Sequence, residues 1–277
     1  MRSRQPALAH QTGSDHLSGQ PRLRPVWKML FITSVAINLV GILGLGYVIY
    51  KNKSYIKNWY SRNIKDTSHE SRWHQRKHEA YRQKAMIFSA SNEILINRPI
   101  VIFVGDSLTN GFPWNEWLVE ETSAVIVNRA IDGEILDRLA DRFESTFPPN
   151  PHIQKIFIMI GISDILTGEF QINTFIDKYQ TLLEKLLSIT SPDNICIVSI
   201  LPARRESISN VIIQNVNESL KSLSYSQGVC YLDLYSMFTD LTGQLDQNLT
   251  YDGLHPTVEG CKSWLAAIKA HIPTKIH

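Results

Sequence analysis

The chain has 277 residues, 43% of them hydrophobic and 19% charged, with a formal net charge of +2. That length and composition suit one sizeable folded core, and the near-neutral balance excludes a general nucleic-acid partner. The three cysteines, Cys196, Cys230 and Cys261, form no CxxC pair and no Cys/His group with zinc spacing; they read as small core residues, and no metal or cofactor is expected.

Residues 1–28 are polar, basic and without periodicity, and read as a disordered tail. Met29 to Tyr50 follows as MLFITSVAINLVGILGLGYVIY, 22 residues without a charge, in which Asn38 is the only strongly polar side chain. A helix of that length crosses the roughly 30 Å of bilayer hydrocarbon, so one transmembrane helix and a membrane partner are expected at 29–50. The apolar run exceeds that of a typical signal peptide, and no small-x-small cleavage site precedes a mature start. Arg22, Arg24 and Lys28 before the span nearly balance Lys51, Lys53 and Lys57 after it, so charge alone does not set the orientation. A short tail ahead of a single span behaves as an uncleaved anchor, which leads us to expect the large C-terminal part outside the cytoplasm.

Residues 51–90 mix charge with aromatics, and 54–84 lacks Gly and Pro, as a helical juxtamembrane stalk would. His74 and His78 lie one helical turn apart, a spacing that reads as a solvated face rather than a metal site. The second half of the chain, 91–277, alternates strand-like and helix-like segments. Short β-branched runs occur at Ile100–Val104, Ala124–Val127, Lys155–Ile160, Ile195–Leu201 and Val229–Leu234. Helical periodicity marks Glu134–Phe143, Phe175–Ile189, Val211–Leu223 and Val258–Ala270. Continuous apolar strands alternating with helices predict an α/β domain with a five-stranded parallel sheet covered on both faces.

In such sheets, function gathers where the strands end. The first strand runs into Gly105-Asp106-Ser107, the second into Asn128-Arg129-Ala130-Ile131-Asp132-Gly133, and the third into Gly161-Ile162-Ser163-Asp164. A serine after a tight glycine turn, ahead of a helix, is placed as a nucleophile among main-chain N–H donors. It needs a base, and His255 in Tyr251-Asp252-Gly253-Leu254-His255-Pro256 is the natural candidate, with Asp252 three residues earlier as the group that orients it. Pro256 biases His255 away from helical geometry and is suited to open the following helix. The combination predicts a Ser-His-Asp triad of Ser107, His255 and Asp252.

"GDSLTNG" together with the C-terminal "DGLHP" resembles the GDSL, or SGNH, hydrolase family over roughly Ile100 to His271. The resemblance implies a flavodoxin-like three-layer α/β/α fold, no metal, and cleavage of acyl esters, thioesters or the acetyl groups of lipids and carbohydrates. It implies Ser107 as nucleophile, His255 as base and Asp252 as its partner. The N–H of Ser107 and that of Gly133 in "NRAIDGE" would bind the oxyanion. The family's third block reads Gly-x-Asn-Asp, and here Ser163 takes the place of that asparagine, so Ser163 becomes the third oxyanion candidate with a shorter donor. Ala130 likewise replaces a usual glycine.

Three further positions are substrate-binding candidates. Trp114 follows the nucleophile turn with Phe112 and Trp117, as core packing or as an apolar wall. Asn128 braces the rim loops or meets substrate, and Arg204, beside Arg205, is either solvated or holds an anionic headgroup. The reading is a membrane-anchored serine esterase or lipase-like hydrolase acting on an acyl ester of a lipid or glycan. An acyltransferase or deacetylase acting on an envelope polysaccharide, and a non-catalytic module that retains the fold, are the alternatives.

Overall fold

The computed structural model describes residues 69–274 except Glu169, together with scattered positions between 29 and 53. The tail expected at 1–28, most of the span expected at 29–50 and residues 54–68 of the stalk lie outside the described residues. Among the described residues, no helix is long and apolar enough to cross a membrane. Residues 73–277 form one compact unit.

Its sheet has five strands: β1 (Ile100–Gly105), β2 (Val125–Asn128), β3 (Ile153–Met159), β4 (Ile195–Val198) and β5 (Cys230–Leu232). They lie in the order β2-β1-β3-β4-β5, and every neighbouring pair is parallel. β1 shows what drives this arrangement. Ile100, Val101, Ile102 and Val104 are all 0% exposed, so side chains on both faces of the strand are covered. Burying each such side chain contributes about 1.5–3 kcal/mol. β4 stops at Val198 rather than at Leu201, because the chain leaves the ladder at Ser199. The Ser199 hydroxyl accepts from the N–H groups of Leu234 and Tyr235, at 2.8 and 2.7 Å.

The connections are α1 (His69–Leu95) before the sheet, α2 (Ser107–Asn110) and α3 (Trp114–Trp117) after β1, and α4 (Leu136–Asp141) and α5 (Phe143–Thr146) after β2. α6 (Ile162–Ile165) and α7 (Ile172–Leu187) follow β3, α8 (Asn210–Gln227) follows β4, and α9 (Tyr235–Phe238) and α10 (Val258–Lys269) close the chain. The step from β1 to β2 runs in the opposite direction to the later ones. Right-handed crossovers therefore put its helices on the opposite face. On that face Trp114 of α3 meets Trp264 of α10 edge-on, with ring centroids 5.1 Å apart. α4, α7 and α8 pack in turn on the other.

Three details depart from the sequence pattern. The helix expected over Glu134–Phe143 breaks at Arg142, whose guanidinium turns inward to the buried Glu134. Pro256 does not open the last helix. It bridges Thr250, and Thr257 caps α10 by accepting from Gly260 N–H at 3.2 Å. Cys196 and Cys230 are register neighbours on β4 and β5 joined as a disulfide, which amends their reading as separate core thiols.

α1 runs through the junction placed at residue 90. Its Tyr81 hydroxyl donates to Glu134 Oε1 at 3.1 Å, and its Asn92 Oδ1 accepts from Arg129 Nη2 at 2.7 Å. The Arg129 guanidinium also lies 4.7 Å from the centre of the Phe88 ring. The second half of α1 is thus part of the sheet domain.

Candidate active site

Sheet register brings three strand ends together. Gly105 pairs with Met159 on β3, and its carbonyl accepts from Ile131 N–H at 3.1 Å on the β2 side. Ser107 and Gly161 lie two residues beyond that pair, and Gly133 two residues beyond Ile131 in the loop that follows β2. A Cβ at position 105 would collide with the Met159 carbonyl and the Thr109 side chain, so the nucleophile turn requires glycine there. Asp106 then caps α2, its Oδ1 accepting from Leu108 N–H at 3.0 Å. Ser107 is the first residue of that helix.

The Ser107 Oγ lies 2.9 Å from His255 Nε2, and His255 Nδ1 lies 2.8 Å from Asp252 Oδ2. The other carboxylate oxygen of Asp252 accepts from the main-chain N–H of His255 at 2.8 Å and of Leu254 at 2.9 Å. With Nδ1–H donating to Asp252, Nε2 is left as the acceptor for the serine hydroxyl. Burial alone would raise the Asp252 pKa, but the hydrogen bonds from His255 and Leu254 outweigh it and hold it down at about 2. The carboxylate is therefore charged wherever the imidazole needs it.

The loop that carries His255 is tied down at several points. Thr250 Oγ1 donates to the His255 carbonyl at 2.8 Å and accepts from Gly253 N–H at 3.0 Å. The Gly253 carbonyl accepts from Arg204 N–H at 2.8 Å, which joins the loop after β4 to the histidine loop. Gly253 has φ +83°, and a Cβ on it would press on the Arg204 carbonyl. Tyr251, largely exposed, lies nearly parallel to the His255 ring with centroids 5.9 Å apart.

Two carboxyls near the strand ends are shifted, Asp106, which is buried, and Asp164, which is half-buried. Burial raises the Asp106 pKa to about 7, and the nearby acids Asp164, Glu134 and Asp132 add to the effect. Burial likewise raises Asp164 to about 6, against the Leu136 N–H that it accepts at 3.1 Å.

The other candidates divide. Among the described residues, the main-chain N–H groups of Ser107 and Gly133 make no hydrogen bond, which leaves both for a ligand. Gly133 holds φ 67° in its turn. Ser163 lies in α6 just beyond Gly161, and with Gly133 it lines one pocket beside the site. Asn128 is used as a brace. Its amide donates to the carbonyls of Thr109 and Asn110, both at 3.4 Å, and its Oδ1 accepts from Ala130 N–H at 3.0 Å.

Trp114 is not a wall of the site. It is 0% exposed, stacked between Phe103 and Phe112 at 4.2 and 4.0 Å, with its Nε1–H given to the Thr109 carbonyl at 3.0 Å. Arg204 is also committed elsewhere, to Asp240 and to the Leu245 carbonyl. The residue that reaches the site is its neighbour Arg205, whose Nη2 donates to Asp252 Oδ2 at 2.5 Å and whose Nε donates to the Asp252 carbonyl at 3.0 Å. Paired arginines at a strand end were the only sequence signal for it. Among the described residues one group of side chains has metal-donor geometry, Cys196, Cys230 and His271, and the disulfide occupies its two sulfurs.

The family model described as "GDSL-like Lipase/Acylhydrolase family" matches residues 103–262. No curated protein matches the sequence. Among solved structures, a Streptococcus pneumonia protein named provisionally as a platelet activating factor superposes with a TM-score of 0.63 at 26% identity, over 73% of this chain and 95% of that one. A GDSL-like lipase from Bacteroides thetaiotaomicron gives 0.56 at 20%, over 67% and 95%. An acetylxylan esterase from Geobacillus stearothermophilus gives 0.53 at 16%, over 65% and 97%.

Proposed function

We propose, since this chain belongs to the GDSL-like lipase/acylhydrolase family, that it is a membrane-anchored serine esterase in which Ser107, His255 and Asp252 form the catalytic triad. The observation that carries the reading is the continuous line from Ser107 Oγ to His255 Nε2 at 2.9 Å and from His255 Nδ1 to Asp252 Oδ2 at 2.8 Å. His255 removes the Ser107 proton as Oγ attacks the acyl carbonyl. The ionised Asp252 stabilises the imidazolium that forms. The carbonyl oxygen takes up negative charge against the N–H groups of Ser107 and Gly133. As the intermediate collapses, His255 returns the proton to the leaving alkoxide, and the acyl group remains on Ser107. Water, deprotonated by the same imidazole, releases the acid and restores the serine. Transfer to a sugar hydroxyl would use the same side chains and replace only that water.

The anchor in this reading is the uncharged 29–50 segment, with the sheet domain on the extracytoplasmic side. The test uses the full chain in detergent micelles. A fluorophosphonate probe labels the wild type, and a short-chain p-nitrophenyl ester is hydrolysed. Ser107→Ala and His255→Ala each abolish both, with circular dichroism unchanged. Undiminished turnover by Ser107→Ala would remove the assignment.

A further inference from the structure

A pocket of about 750 Å³ opens beside the nucleophile turn, between α1 and the loops after β2 and β3. Gly133 and Ser163, the two oxyanion candidates beside Ser107, are among its lining residues. Ile131, Ile135 and Leu166 supply apolar wall, and α1 contributes Tyr81 and Lys84, with Arg138 of α4 across from them.

Its charge is unbalanced. The Lys84 ammonium donates to Asn110 Oδ1 at 2.6 Å, and Asn110 is the last residue of the helix that starts at Ser107. Burial lowers the Lys84 pKa, so its charge is short of solvation. The Arg138 guanidinium lies 5.8 Å from the Tyr81 ring centre. Among the described residues, neither Lys84 nor Arg138 has an ion-pair partner. The pocket holds one carboxylate, Asp132, which is exposed and takes up the Asn110 amide at 2.7 Å. Glu134, which accepts from the Tyr81 hydroxyl, is fully buried and paired with Arg142. Two cations thus face a partly apolar space with a single, already engaged counter-charge.

We propose that this pocket binds an anionic group, carboxylate or phosphate, that the ester substrate carries, with Arg138 and Lys84 as its counter-charges and Ile131, Ile135 and Leu166 against the carbon chain leading to it. The planar guanidinium suits either anion as a two-point donor, and the ammonium suits it as a point charge. This rests on the esterase reading, and it narrows the substrate class to acyl esters with a negative charge a short chain away from the carbonyl.

The experiment compares three esters on the full chain in neutral detergent: 4-methylumbelliferyl butyrate, 4-methylumbelliferyl hemiglutarate, and the acetyl ester of glycerol 3-phosphate. One of the two charged esters should exceed the neutral one in kcat/KM by about 10-fold at low salt, as a charge-assisted contact allows, with the margin shrinking as salt is added. Preference for hemiglutarate places the anion on the acyl side, and preference for the glycerophosphate ester places it on the alcohol side. Arg138→Glu should cut the charged-to-neutral ratio at least 10-fold, consistent with reversal of a contacting charge. Equal kcat/KM for all three esters, or a ratio that Arg138→Glu leaves alone, overturns the proposal. Calorimetric titration of glutarate and of glycerol 3-phosphate into the Ser107→Ala chain reads the pocket without turnover. If no ester is hydrolysed, the esterase reading fails, while saturable binding lost in Arg138→Glu still supports the anion pocket. Absence of binding by both anions counts against it.

Discussion

Arg205 and His255 contact the same oxygen of Asp252, Nη2 at 2.5 Å from one side and Nδ1 at 2.8 Å from the other. Arg205 also grips the Asp252 carbonyl at 3.0 Å, so it fixes both the main chain and the carboxylate of that residue.

Arg205→Ala frees Asp252 to rotate, and kcat on a short ester should fall by about 10-fold, as misplacement of a catalytic group by a fraction of an ångström does. Arg205→Lys restores the charge without the two-point grip, and should leave kcat low. A kcat that Arg205→Ala leaves unchanged would reduce Arg205 to a surface contact.

Ser163 stands where the family resemblance calls for an asparagine. An oxyanion donor acts on charge that develops in the transition state, so substitutions here should alter kcat more than KM. Ser163→Ala should lower kcat by about 10-fold if the hydroxyl donates, and Ser163→Asn should raise it by a similar factor if the hydroxyl reaches poorly. Changes under about twofold in both variants would take Ser163 out of the oxyanion site. Loss of activity in a folded Ser163→Asn protein would instead show that the short side chain makes room for substrate.

Asp106 predicts a pH dependence of stability. Its pKa rises from 3.8 to about 7 on folding, so its contribution is fully present below about pH 4 and is lost as pH climbs to about 7. Asp106→Asn keeps an acceptor for Leu108 N–H and has no charge to bury. Relative to wild type, the variant should gain stability between pH 4 and pH 8 in urea titrations. Parallel curves for the two proteins would mean that Asp106 does not titrate in this range. Asp252 has the opposite sign. Its pKa falls from 3.8 to about 2, so its contribution exists above about pH 4 and disappears on acidification toward 2.

The buried Arg142–Glu134 pair predicts a large loss. Arg142 Nε donates to Glu134 Oε2 at 2.7 Å, and the Arg142 side chain also reaches Thr146 and the Arg129 carbonyl. Arg142→Met leaves Glu134 charged and unpaired, and should cost about 3–5 kcal/mol in a denaturation midpoint analysis. Glu134→Leu combined with Arg142→Met should cost less than Arg142→Met alone. A double variant worse than the single would show that Glu134 still has a role once Arg142 is gone, as the acceptor for the Tyr81 hydroxyl.

The sheet was legible because its signal is local. The β-branched run at 100–104 announces a strand buried on both faces, whichever strands flank it. The placement of Ser107 followed from where the first strand ends, and that of Asp252 and His255 from the Asp-x-x-His-Pro turn before the last helix. What could not be read is what long side chains do once the chain has folded. Arg204 and Arg205 are adjacent and identical, yet one turns to Asp240 and the other to Asp252. Trp114, after the nucleophile turn, read as core packing or as a wall, and only its stacking between Phe103 and Phe112 decides for the core. Tyr81 and Lys84 belong to a helix that, read along the chain, looked like a stalk.

That helix decides where the chain can be shortened. A fragment that begins at residue 90 loses Tyr81, Lys84 and Phe88, which meet Glu134, Asn110 and Arg129. One that begins at Trp73, where the compact unit starts, keeps all three and with them one side of the pocket.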